Sequence, residues 1–140
     1  MSLISYYDAL RQGNLDEIKI YNENGKNIND ILKRSAYYGH LELVKYALQN
    51  GAHIRTDNDY PLIWSAENGH LDTVIYLVEN GADINADNSE ALWRASSNGH
   101  MEIVQFLVEN GVDKENYHLA IKMAQRYEQI EIINYLKKLN

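Results

Sequence analysis

The chain contains no cysteine. That removes a disulfide framework, a thiolate zinc site and a cysteine nucleophile together. It also suits a reducing compartment, so an intracellular, cytoplasmic setting is expected. Basic clusters are nearly absent: Lys33–Arg34 and Lys137–Lys138 are the only basic pairs, and 20 acidic against 13 basic residues leave a net charge of −7. Phosphate backbones repel such a chain, so neither nucleic acid nor an anionic membrane surface is an expected partner. No apolar run approaches the roughly 18 residues of a membrane helix. Met1–Tyr7 has no basic residue and no cleavage motif, so no secretory leader is expected there. There is no glycine-rich phosphate loop and no G-x-S-x-G elbow. Proline occurs once, as Pro61.

What remains is 140 residues, one ordinary domain by length, 45% apolar and able to build a continuous core. Its eight glycines are not scattered. Gly13 and Gly25, Gly39 and Gly51, Gly69 and Gly81, and Gly99 and Gly111 are four pairs, each 12 apart, and the last three recur every 30 residues. Gly-His recurs at 39–40, 69–70 and 99–100, and Asn-Gly at 50–51, 80–81 and 110–111. Between them, Leu41–Leu48, Leu71–Val78 and Met101–Val108 place apolar residues at i, i+3 and i+6 or i+7, the stripe of an amphipathic helix. Asn-Gly then stops each helix, because glycine accepts the left-handed conformation past a helix end.

A shorter helix precedes each Gly-His, as at residues 60–68 and 90–98. Small residues mark its inner face: Ser35 and Ala36, Ser65 and Ala66, Ala95 and Ser96. Pro61 falls in the first turn of one, where a missing N–H costs little. Both ends carry altered copies. Asn14 stands where the histidine would be in the first. Glu128 and Gln129 replace Gly-His in the last, where Ile130–Leu136 matches Met101–Leu107 at an offset of 29. Terminal units of a solenoid are expected to be atypical. The chain therefore reads as five stacked helix–turn–helix pairs in one domain: an N-terminal cap (1–25), repeats at 26–51, 52–81 and 82–111, and a C-terminal cap (112–140).

Gly39-His40-Leu41-Glu42-Leu43-Val44 with its two later copies, and Asn80-Gly81-Ala82-Asp83-Ile84-Asn85-Ala86, resemble the ankyrin repeat. The short 30-residue period is similar to the ankyrin arrays of giant DNA viruses. The resemblance implies an all-α ankyrin-repeat solenoid, non-catalytic, without cofactor or metal, that binds a partner protein through loop tips and first helices. The sequence departs from the family's 33-residue unit and its Thr-Pro-Leu-His opening; Tyr60-Pro61-Leu62-Ile63 and Glu90-Ala91-Leu92-Trp93 stand there instead. Asp57-Asn58-Asp59 and Asp87-Asn88-Ser89 replace the Asp-Gly hairpin tip. Short turns are expected there, with Asp and Asn bonding their own backbone.

His40, His70 and His100 invite a metal reading. Zinc needs ligands at about 2.0–2.3 Å, whereas equivalent positions of stacked helices lie about 8–10 Å apart. A hydrogen-bonding role for each histidine at the mouth of its second helix is the expectation. His53 and His118 are expected on the surface. Glu42, Asp72, Glu102 and Glu131 sit in first turns, where negative charge complements the helix dipole; nothing pairs them as acid and base in a pocket. Tyr46, Tyr76, Phe106 and Tyr135 form a column expected to pack between repeats.

By the resemblance, the candidate contact residues are Tyr37, Tyr38, Trp64, Glu67, Asn68, Trp93, Arg94, Ser97 and Asn98 of the first helices, with Arg55, Asp57, Asp59, Asp87 and Glu90 of the loops. Tyr, Trp and Arg most often dominate interface energy. The acidic loops would steer a basic partner surface. A monomeric binder is expected; a self-associating module and an enzyme on a repeat scaffold are the rival readings.

Overall fold

The computed structural model describes residues 3–140. The first two residues of the expected cap, and of the stretch expected not to be a leader, lie outside the described residues. The described residues form ten α-helices and one short 3-10 turn, with no strand. The helices pair in order: α1 (Tyr6–Gln12) with α2 (Leu15–Glu23), α3 (Ile28–Tyr38) with α4 (Leu41–Gln49), α5 (Thr56–Glu67) with α6 (Leu71–Glu79), α7 (Ala86–Ser97) with α8 (Met101–Glu109), and α9 (Tyr117–Arg126) with α10 (Ile130–Leu139). Successive pairs stack into an all-α solenoid.

The core follows the stripes. Leu43, Val44 and Ala47 of α4, Val74 and Leu77 of α6, and Ile103, Val104 and Leu107 of α8 are buried against Leu32, Leu62 and Leu92 of the first helices. Each buried Val, Leu or Ile side chain among these contributes about 1.5–3 kcal/mol on burial. The small residues let the first helices run closest together: Ser35, Ala36, Ser65, Ala66, Ala95 and Ser96 are all fully buried. The column Tyr46, Tyr76, Phe106 and Tyr135 is half-buried against this core, as its spacing predicts.

Local chemistry sets the helix ends. Ser5, Asn14 and Asn27 accept backbone N–H groups at the starts of α1, α2 and α3, satisfying donors a helix leaves open. At the second-helix ends, the amides of Asn50, Asn80 and Asn110 donate to the carbonyls of Tyr46, Tyr76 and Phe106 at 2.7–2.8 Å. Gly81 follows with φ 104°. Gly39 ends α3 with φ 76°; its N–H donates to Ala36 and that of His40 to Ser35, the paired closure that a left-handed residue permits.

Two expectations gain detail from the structure. First, His40, His70 and His100 do hydrogen-bond at the starts of α4, α6 and α8 as expected, though not as caps of their own helices. Each Nε2 reaches back one repeat, to the carbonyls of Arg11 (2.7 Å), Tyr37 (2.9 Å) and Glu67 (2.8 Å). A carbonyl only accepts, so each Nε2 carries the proton. Gln129 does the same to the Ser97 carbonyl at 3.1 Å. The histidines latch neighbouring repeats together.

Second, the Asp-Asn loops are left-handed turns. Asp57, Asn58 and Asp59 have φ of 50°, 56° and 64°; Asp87, Asn88 and Ser89 have 50°, 56° and 60°. Left-handed backbone costs about 1–2 kcal/mol per non-glycine residue and is rarely sustained. Asp and Asn bear it best, and the surroundings hold it: Asp59 is fully buried, accepting the Asp83 N–H at 2.7 Å and the Arg55 guanidinium at 3.0 Å. The expected bonding to nearby backbone occurs one step away instead, where Asp83 accepts from Asn85 N–H and Asn27 from Asn29 N–H. The α3/α4 and α9/α10 pairs lack this turn: Asn27 caps α3 directly, and α9 follows the 3-10 turn Lys114–Asn116.

Candidate partner-binding face

The exposed side of the first helices carries a run of rings. Tyr37 and Tyr38 are consecutive on α3 and meet edge to face with centroids 5.1 Å apart. Tyr37 meets the edge of Trp64 on α5 at 5.8 Å. Trp64 is stacked by Tyr60, one helical turn before it, at 5.4 Å. Tyr37 and Tyr60 are 43% and 38% exposed, so this cluster spans two repeats and faces solvent. Further along, Trp93 on α7 lies under the Arg94 guanidinium at 5.0 Å.

Charges on this face are mostly neutralised from within. Arg94 bonds Glu90 at 2.6 Å and Glu67 at 2.8 Å. Burial works against its charge, yet these two carboxylates outweigh burial and raise its pKa above the usual guanidinium value. Lys33 pairs with Asp57. Arg34 pairs with Asp30 at 3.0 Å and lies 4.8 Å over the ring of Tyr7. Arg55 binds both Asp59 and Asp83. Asp87 is exposed and, among the described residues, in no ion pair.

The candidate residues therefore divide. Tyr37, Tyr38, Trp64, Trp93 and the rim residues Asp57, Asp87, Asn68 and Asn98 retain accessible surface. Glu67, Glu90, Arg94 and Arg55 are accessible in part but engaged with each other or with the loops. Two expectations of an accessible contact residue are overturned. Asp59 is buried because its carboxylate holds the next loop. Ser97 is 9% exposed, and its hydroxyl donates to the Arg94 carbonyl at 2.9 Å. Other residues belong to the face without having been read from the sequence: Tyr60, Tyr7 (58% exposed), and Leu119 and Met123 of α9, which form a cavity with Trp93. The register could have found Met123, since it matches Arg94 at the last repeat's offset of 29.

Apart from Asp87, the carboxylates named on this face are engaged by guanidinium or ammonium groups. What the arrangement offers is preorganised aromatic area held in place by neighbours. No helix among the described residues is long and apolar enough to cross a membrane.

Comparison with known proteins agrees with the geometry. A family model described as "Ankyrin repeats (3 copies)" matches residues 7–88, and a single "Ankyrin repeat" model matches residues 91–117. Ankyrin repeat protein R844 of Acanthamoeba polyphaga mimivirus is 36% identical over 68 residues, 49% of this chain. The chain spans only 32% of that protein's length. With more than half of its residues under one family model and helix pairs stacked by recurring glycine and histidine, the chain belongs to the ankyrin repeat family.

Proposed function

We propose that this chain is a non-catalytic recognition module that binds a partner protein through the exposed side of its first helices and the adjoining loop tips. Ankyrin repeats are in general protein–protein interaction modules. The observation that carries the reading for this chain is the solvent-facing ring cluster Tyr37–Tyr38–Trp64–Tyr60. Aromatic side chains add large contact area at small entropic cost and recur among the dominant residues of interfaces. The second helices instead commit their rings to packing between repeats.

The basic-partner expectation is redistributed by the ion pairs. Asp57, Asp59, Glu67 and Glu90 each already hold a cation. Steering of a basic surface then rests on Asp87 and on the net charge, while apolar contact supplies affinity at this face. The absence of cysteine supports a reducing, intracellular setting. Self-association has one observation in its favour, the exposed Tyr127 and Ile130 beside the last turn; light scattering that stays monomeric across concentrations counts against it.

The test is a binding series on folded variants against a partner isolated from the native cell. Tyr37→Ala and Tyr60→Ala should each weaken binding, by about 2 kcal/mol at a central anchor. Lys45→Ala, Glu79→Ala and Gln105→Ala on the second helices should change it by much less. Calorimetry showing the second-helix set to be the more damaging overturns the assignment.

A further inference from the structure

Two hollows open on the first-helix face, and each is built around one of the chain's two tryptophans. The first, about 250 Å³, lies where α3 meets α5 and is lined by Arg34, Tyr37, Tyr38 and Trp64. The second, also about 250 Å³, lies where α7 meets α9 and is lined by Trp93, Leu119 and Met123. Both fall below the roughly 300–1,000 Å³ of small-molecule sites. Each has room for one bulky side chain rather than a metabolite.

Both tryptophans are braced on one side from their own helix. Tyr60 stacks on Trp64 and Arg94 covers Trp93. Each indole is thus positioned by a neighbour before any guest arrives, which lowers the ordering cost of binding. The lining of the second hollow is wholly aliphatic and aromatic in its side chains. The charges at and between the two hollows are closed on each other: Arg34, which lines the first, sits on Asp30, and Arg94 sits on Glu67 and Glu90. A charged guest would have to displace these bonds; an uncharged one leaves them intact.

Spacing supplies the last constraint. The α3/α5 and α7/α9 junctions are two repeats apart, which at about 10 Å per stacked helix places the hollows about 20 Å from each other. We infer that the partner presents one continuous segment with two bulky uncharged side chains about 20 Å apart, one seated beside Trp64 and the other beside Trp93. This rests on the first-helix reading above and adds the partner's chemistry and spacing. In an extended segment the two anchors stand about six residues apart; in a helical one, about 13 or 14.

The probe is a random 16-residue peptide library displayed on phage and selected on the folded protein. The readout on synthetic winners is the pair of indole N–H signals in an NMR spectrum, which report the two hollows separately. Winners should carry two bulky apolar residues at one of these spacings and shift both indole signals. They should lose at least tenfold in affinity against Met123→Lys and against Tyr37→Ser, with melting curves showing both variants folded. Shortening the spacing by three residues should cost a similar factor. Winners that shift one indole only, or that lack an apolar pair, overturn the two-anchor inference and leave the first-helix reading standing. Winners that move neither indole and ignore both substitutions overturn both. A selection yielding no peptide that shifts an indole also counts against the inference.

Discussion

The two long edges of this solenoid both turn on glycine, yet the glycines answer to different demands. On the turn edge, Gly39 has φ 76°, and a Cβ built on it would lie less than 3.0 Å from the His70 ring of the next repeat. On the loop edge, Gly81 has φ 104°, and a Cβ would meet nothing within 4 Å. The first glycine is required by backbone conformation and by the neighbouring repeat; the second by conformation alone. A sequence shows the same letter at both. The loop edge is stitched to its neighbour by side chains instead: Asn29 accepts the His53 N–H, Asp59 that of Asp83, and Asn85 that of Asp113, all at 2.7–2.8 Å. Each of the three repeats is thus tied to the next unit at both ends, through histidine (Gln129 at the last junction) over glycine on one edge and amide or carboxylate acceptors on the other.

The largest expected effect separates these demands. Gly39→Ala should destabilise by about 3 kcal/mol, combining left-handed strain with displacement of the His70 ring. In a His70→Ala background the same substitution should cost only its strain, about 1 kcal/mol. Urea melts of the four proteins give the coupling directly. A coupling near zero would mean that the ring moves aside freely and that the two edges do not differ as described.

Next comes the loop edge. Asp59→Ala leaves the part-buried Asp83 N–H without its partner and Arg55 with Asp83 alone, and it should cost about 2 kcal/mol. Asp59→Asn keeps an acceptor for the N–H and tolerates φ 64°, so it should recover part of the loss. If both variants melt like the parent, the left-handed turn is not held by this carboxylate.

A smaller effect belongs to the unencumbered glycine. Gly81→Ala should destabilise by about 1 kcal/mol, the conformational penalty alone, and should show no coupling to His100→Ala. A cost matching that of Gly39→Ala would erase the distinction between the edges.

Much of this organisation is legible in the sequence. The glycine spacing marks the helix ends, because a left-handed residue is needed wherever a helix closes and turns. The stripes give the buried faces, because a helix with one apolar side must bury it. Helix spacing alone argues that His40, His70 and His100 cannot share a metal. The direction of each histidine bond is not legible: the residue at a helix start can cap its own helix or reach the previous repeat, and only the stacking distance decides. The left-handed turns are hidden for a related reason. Asp57, Asn58 and Asp59 each tolerate positive φ, but three in succession need a buried acceptor held from outside, and nothing local announces that Asp59 points inward. On the exposed side of the first helices, Tyr37, Tyr38 and Trp64 were readable as first-helix aromatics. Tyr60 was not, because it doubles as the start of a helix before Pro61. Met123 was within reach of the offset of 29, which sets it against Arg94, whereas Leu119 carries no such signal because its counterpart is the charged Glu90.

The smallest expected effect tests the comparison where the array changes. Glu128 occupies the place of Gly39, Gly69 and Gly99 and keeps their left-handed backbone, with φ 58°. At Gly39, Gly69 and Gly99 the ring or amide of the next pair crowds any Cβ; beyond Glu128 no helix pair stacks among the described residues, so a side chain fits and only the backbone strain remains. Replacing it with glycine removes about 1–2 kcal/mol of strain. Glycine also enlarges the freedom of the unfolded chain, which costs about 0.5–1 kcal/mol. Glu128→Gly should therefore stabilise by about 0.5 kcal/mol, seen as a small rise in the urea midpoint with an unchanged slope. Glu128→Ala keeps a Cβ and the strain, and should leave the midpoint nearly where it was. A marked loss on Glu128→Gly would show that the glutamate side chain itself holds the last turn. It would also show that crowding by the next repeat is not what separates this turn from its three counterparts.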